Sequence, residues 1–458
     1  MLLEAAGSRN TGLPARLAYC LNLHAATSLD EVLHVLRTYT APLRERILGP
    51  GSSEPFGVGM YFEAPATAAL SRDPGKLESL ALYMAEARLD PFTFNAFPYG
   101  GFQADGLKER VYAPTWETEE RLSYTVDVAR VAAGLQTAIF GGGERFLSIS
   151  THPGAYGADI TDRSGLRRCA ENMGRAVGEL AKLETETGHR IVLALESEPD
   201  ASARNSRALA EYRLFAGLVG SRVLQDEFGV SIEASGELMQ RHLGTCLDCC
   251  HSAVEYESAE ESLELATHGG SPLGKIQFSS ALRLDSPAAH PDAVAALLAL
   301  DEPRFLHQVT GRSNEGAFLH LPDLSALQST LGEQAESSIR EEWEGAESWR
   351  CHFHVPVDLT STLGLATTRA HADEVLGAAL AKARSATEPT LSPEAWNVPE
   401  LHVELETYTW SVLPSDAAPE VDADGAVVNG LEAEYAHVLK QFERSGYAPV
   451  GSGRSEAD

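Results

Sequence analysis

Short apolar runs rich in β-branched and aromatic residues recur along the chain at 17–23, 56–62, 91–97, 146–151, 191–197, 243–249 and 275–280. Each has the length of a strand. The intervening stretches 28–48, 122–135, 166–186 and 206–218 instead place apolar residues three and four apart, the period of a helix with one buried face. Strand and helix thus alternate, which predicts parallel β/α units. Three further runs, at 305–310, 352–357 and 401–410, bring the total to ten. A closed eight-stranded barrel leaves two of them over.

The pattern therefore predicts one (β/α)8 TIM barrel over 15–411, with 401–406 as its eighth strand. Residues about 284–398 form an insertion before that strand and hold the paired runs at 305 and 352. Residues 1–14 and the Gly/Ser/Asp/Glu-rich tail 446–458 read as disordered, and 412–445 as an acidic linker followed by a helix from Leu431. An open doubly wound sheet is the competing fold, but no G-x-G-x-x-G turn follows the first run. Gly141 to Gly143 precede a strand and read as a turn.

Composition narrows the partners. Against 36 Lys and Arg stand 66 Asp and Glu in 458 residues, a net charge of −30. A field of that sign repels phosphate backbones and argues against nucleic acid. No apolar run approaches the roughly 18 residues of a membrane span, and 1–14 lack a secretion signal, so a cytoplasmic protein without membrane insertion is expected. Of six cysteines, Cys246, Cys249 and Cys250 crowd together and read as buried, reduced thiols. With His251 they resemble half a zinc site, but no second ligand pair completes it.

In a β/α barrel the site forms at the carboxyl ends of the strands. The runs end there in Asn22 and His24, Asn95 and Tyr99, Thr151 and His152, Glu196 and Glu198, Asp248 and His251, Gln277, and Glu404 and Glu406. Two-residue alternation puts Glu196 and Glu198 on one side of their strand, and Glu404 and Glu406 on one side of theirs. Facing outward, each pair would be buried against helices at a cost of several kcal/mol, so inward is favoured. So many carboxylates in one mouth repel each other unless a divalent cation sits among them. Taken singly, each could instead cap a helix. His352 and His354 also share a parity, and read as structural in the insertion or as substrate contacts. Phe92, Phe94, Phe97, Tyr99 and Phe102 supply core and a pocket wall suited to the C–H face of a polyol, with Asn95 and His152 reaching its hydroxyls.

Several of these stretches carry a resemblance. Leu195-Glu196-Ser197-Glu198-Pro199 looks like the Glu-Pro-Lys-Pro strand end of xylose and rhamnose isomerases, and Asp248-Cys249-Cys250-His251 looks like the Asp-x-x-His of related sugar epimerases. More closely, LAYCLNLH at 17–24, FTFNAFPYGGF at 92–102, VYAPTW at 111–116, LSISTHP at 147–153, LGTCLDCCHSAVEY at 243–256, KIQFSSAL at 275–282, HFHVP at 352–356 and HVELETYTWSVLP at 402–414 are similar to the EboE family. Its members are metabolite-traffic proteins classed as xylose-isomerase-like TIM barrels. The resemblance implies that Glu196, Asp248, Gln277 and Glu404 hold a divalent metal (Mn, Mg or Zn), with Glu404 and Glu406 interchangeable at this stage. Glu198, His251 and Glu406 would then carry the chemistry. Asn22, His24, Asn95, Tyr99, His152, Lys275 and His354 would contact a small polyhydroxy metabolite. This chain departs from the pattern at Glu198, where the isomerases have lysine, and at Gln277, where the epimerases have histidine. The function implied is a metal-dependent sugar or cyclitol isomerase or epimerase in a metabolite-traffic pathway, with partners from that pathway. The alternatives are a non-catalytic carrier and a metal-dependent hydrolase of a small phosphoester.

Overall fold

The computed structural model describes residues 1–5, 12–160, 162–385, 396–411 and 424–450. Eight parallel strands follow one another around a ring: β1 (Ala15–Cys20), β2 (Phe56–Tyr61), β3 (Leu89–Asn95), β4 (Phe146–Thr151), β5 (Arg190–Glu196), β6 (Leu243–Asp248), β7 (Leu273–Phe278) and β8 (Leu401–Leu405). The ring closes where β8 pairs in parallel with β1, from Leu401 opposite Ala15 to Leu405 opposite Tyr19. The chain is thus a (β/α)8 barrel.

Polar side chains start the helices between strands. Ser28 and Glu31 form a capping box, and Thr118, Asp162, Asn205 and Ser258 each accept a backbone N–H of the first turn. Among the strand-end acids only Asp248 does the same, for the short helix Cys249–Val254. Capping therefore accounts for one of these carboxylates and not for the set.

After β7 the chain builds a six-stranded antiparallel sheet in the order Phe318–Leu321, Val309–Arg312, Ser348–Cys351, Leu282–Asp285, Leu365–Thr367, Ser361–Thr362. The 305 and 352 runs meet only at their near ends: Val309–Arg312 pairs with Ser348–Cys351 and the His352 amide donates to the Gln308 carbonyl at 2.9 Å, beyond which 305–307 and 353–357 leave the sheet toward the barrel mouth. The insertion ends near Thr367, earlier than expected, because helix Arg369–Ser385 buries Val375, Leu376, Ala379 and Leu380 in the main core.

The chain ends are more ordered than their composition implies. Leu2–Ala5 pairs antiparallel with the foot of β1 and with Tyr447–Pro449. Helix Asp424–Arg444 begins ahead of Leu431 and buries Tyr435, Val438 and Phe442. The remainder of the expected linker (412–423) and tail (451–458), with 6–11, lies outside the described residues. All six cysteines are buried and unpaired. No helix among the described residues is long and apolar enough to cross a membrane.

Candidate metal centre

Glu196 ends β5, Asp248 ends β6, and Glu406 follows β8. One oxygen from each lies within 4.8 Å of the others, and all three side chains are buried. Asn22, just past β1, donates its Nδ2 hydrogen to Glu406 Oε1 at 2.6 Å. Asp248 Oδ1 accepts from the His251 amide at 2.8 Å and from the Ser279 hydroxyl at 2.9 Å, while its Oδ2 has no protein partner.

Burial, then the charges of Glu406, Asp248 and Glu198, push the Glu196 carboxyl well above the usual range. Burial, Asp248 and Glu404 do the same to Glu406. Burial also opposes ionisation of Asp248, but His251, His354, the His251 amide and the Ser279 hydroxyl hold its carboxyl below the ordinary value. Three close carboxylates, two of them resisting ionisation and the third with an unpaired oxygen, match the donor set of a divalent cation, which would relieve the repulsion.

Gln277 and Glu404, expected among the ligands, sit elsewhere. Glu404 faces inward as its alternation requires, but one layer deeper, where Lys275 Nζ reaches its Oε2 at 2.6 Å and the Phe94 carbonyl at 3.2 Å. Gln277 Oε1 accepts from Cys246 Sγ at 2.9 Å. Both groups are committed to the barrel interior, and Glu406 takes the place of Glu404 in the carboxylate trio. Lys275, expected to touch substrate, is sealed in that same lower layer with no exposed surface.

Beside the trio stand three imidazoles. His251 is on the helix capped by Asp248, whereas His352 and His354 descend from the insertion. Their Nε2 atoms lie 3.1 Å (251 to 352), 3.1 Å (352 to 354) and 3.4 Å (251 to 354) apart. Each Nδ1 donates to an oxygen: His251 to the Ser197 carbonyl at 2.9 Å, His354 to the Glu406 carbonyl at 3.0 Å, and His352 to Gln308 Oε1. Burial lowers His354 to about 4 and His352 well below its ordinary value. Glu198 adjoins His251 and His352. Burial lifts its carboxyl to about 7 against the pull of His251.

Above these groups opens a narrow, partly enclosed cavity. Its wall is aromatic: Phe102, Phe305 and Tyr408 pack with ring centroids 4.8–5.2 Å apart, and Phe97 lines it too. Asn95 lines the same cavity, held by Ser150 and by its Nδ2 contact to Cys20 Sγ at 2.9 Å. Besides Lys275, three expected contacts lie off this cavity. His24 stacks on Tyr39 at 4.6 Å, Tyr99 turns its edge to Tyr124 at 5.2 Å, and His152 lies behind Phe97 and Tyr112 at 5.1 and 5.6 Å. Each follows a strand end, but its ring packs against neighbouring aromatic side chains instead of lining the cavity. Tyr408, Phe305 and Gln308 join the site without a sequence signal of their own. For His352 the two-residue spacing to His354 is the available signal.

No family model matches the chain, and no curated protein does. Among solved structures it is similar to an L-ribulose 3-epimerase, at 12% identity over 94% of this chain and 95% of that one, with a TM-score of 0.40. It is also similar to an IolI protein with a bound zinc atom, at 12% identity over 57% and 72%, with a TM-score of 0.32. The barrel assignment rests on the strand pairing described above, and neither likeness bears on activity.

Proposed function

We propose that this chain is a metal-dependent isomerase or epimerase acting on a sugar or cyclitol-like polyhydroxy metabolite. The observation that carries this reading is the buried trio Glu196, Asp248 and Glu406 at the barrel mouth beneath an aromatic-walled cavity. These three would hold a divalent cation. When bound, such an ion polarises a carbonyl or hydroxyl oxygen of the substrate and keeps the carboxylates ionised.

The chain's own groups do the rest. Asn22 orients Glu406 through its 2.6 Å hydrogen bond. The rings of Phe102 and Tyr408 give the C–H face of a polyol an apolar surface and narrow the access of water. Glu198 stands outside the trio and is balanced between its two protonation states, so it would take a proton from one carbon and return it to a neighbour, or to the other face of the same carbon. His251, fixed by the Ser197 carbonyl, lines the same cavity. The resemblance to the EboE family supports placing the reaction in a cytoplasmic metabolite-traffic pathway with partners from that pathway.

The test is incubation of metal-loaded protein with candidate aldoses, ketoses and cyclitols in D₂O. Deuterium should enter at carbon, and Glu198→Gln should slow its entry by about 10²- to 10⁴-fold. The three imidazoles beside the carboxylates favour a second reading, hydrolysis of a small phosphoester. Phosphate release with unlabelled carbon would establish that reading in place of the first.

A further inference from the structure

The three Nε2 atoms pose a problem that the protein does not solve internally. Every Nδ1 of the group faces an oxygen acceptor, so each neutral ring carries its proton on Nδ1 and presents a lone pair at Nε2. The orientation of Gln308 is fixed independently, because its Nε2 donates to the Pro199 carbonyl at 2.8 Å and leaves Oε1 for His352. Three lone pairs 3.1–3.4 Å apart therefore converge on one point, in side chains 4%, 2% and 1% exposed. The Tyr408 hydroxyl, 3.2 Å from His352 Nε2, can satisfy one of them. The other two remain acceptors facing acceptors.

The spacing suits one kind of occupant. A metal about 2.0–2.1 Å from each imidazole nitrogen, at a tetrahedral angle, sets the nitrogens about 3.3–3.4 Å apart, and a right-angled arrangement sets them about 2.9 Å apart. The observed separations fall between. A carboxylate stands ready to complete the shell: Asp248 groups with His251 and His354 within 4.8 Å, and its Oδ2 lacks a protein partner.

We propose that His251, His352 and His354 form a second cation site, distinct from the carboxylate trio and selective for a first-row transition metal such as Zn²⁺ over Mg²⁺. Neutral imidazoles favour that class, whereas the all-oxygen trio suits the harder ion. Asp248 belongs to both groups and is placed to link them. Two of the three imidazoles come from the insertion, so the second site is built by the segment added to the barrel. The assignment stands whether or not the chain performs the reaction proposed above.

The experiment is metal stoichiometry on chelator-stripped, full-length protein, read by elemental analysis and by the visible absorption of Co²⁺. The wild type should bind two equivalents. His352→Ala and His354→Ala should each retain one, whereas Glu196→Gln combined with Glu406→Gln should keep the equivalent held by nitrogen. A wild type holding one equivalent, unchanged in both histidine variants, overturns the proposal. Should those variants fail to fold, zinc-edge X-ray absorption of wild type loaded with one equivalent decides. Three imidazoles per zinc support the site, and fewer than three overturn it.

Discussion

Gly59 on β2 has no Cβ, and one built there would fall on the Glu404 carboxylate. The missing carbon makes room for the buried Glu404–Lys275 pair one layer below the mouth, leaving Glu406 as the glutamate that reaches the cavity. Gly59→Ala should therefore displace that pair and destabilise the fold by about 1–3 kcal/mol, the usual range for overpacking, measured as a lower urea midpoint at unchanged m value. Alternation along the strand tells which residues share a side, and it correctly groups Glu404 with Glu406. Depth along the barrel axis depends on the tilt of neighbouring strands and on which of them lacks a side chain, and neither is written in the alternation. For the same reason Gln277 reads as a ligand from its strand-end position while its amide is engaged by Cys246.

The insertion and the C-terminal helix are the elements that complete the mouth. The ladder between Val309–Arg312 and Ser348–Cys351 ends with the His352 amide on the Gln308 carbonyl at 2.9 Å. Val355 then gives its N–H to the Ser280 carbonyl at 2.9 Å, past the end of β7, and Pro356 has none to give. An alternating run that reads as strand is thereby bent over the barrel, carrying two histidines with it. Helix Asp424–Arg444 fixes this bend through Glu434, whose Oε2 accepts from the Thr407 hydroxyl at 2.6 Å and the Val357 amide at 3.2 Å. Glu434→Ala should strand both donors, cost about 1–3 kcal/mol and speed amide exchange in 352–357 and 406–409 while leaving β5 protected. Glu434→Gln keeps an acceptor and should behave nearly as wild type. The start of this helix is hidden in the sequence by its acidic neighbours. The spacing of Val428, Leu431, Tyr435, Val438 and Phe442 shows it once that composition is set aside.

At the scale of the whole molecule the alternation of strand and helix is legible because each unit repeats the same local code, and the surplus of runs pointed to an insertion. The acidity divides between solvated surface, the carboxylates of the mouth and a network at the barrel floor. There Arg16 pairs with Asp90 and, through Nε at 2.9 Å, with Glu400, while Arg145 joins Asp90 at 2.9 Å. Burial opposes ionisation of Glu400, but His402 and Arg16 outweigh it and hold the carboxyl at about 2. A depressed carboxyl adds stability above its unfolded value, and that stability is lost as the pH falls from there through about 2. Stability measured by denaturant should thus decline from about pH 5 downward, and Glu400→Gln should flatten that decline while lowering stability at pH 7.

The hydrogen bond from Asn22 to Glu406 joins residues 384 positions apart. A contact that distant in the chain closes late, since the loop entropy must be met before the contact gives anything back. In refolding, β5 and β6 can assemble their local units early, but Glu406 and its orienting amide meet only when β8 docks on β1. A metal signal that depends on Glu406 should accordingly lag the recovery of helical circular dichroism, which makes the bound ion a reporter of ring closure.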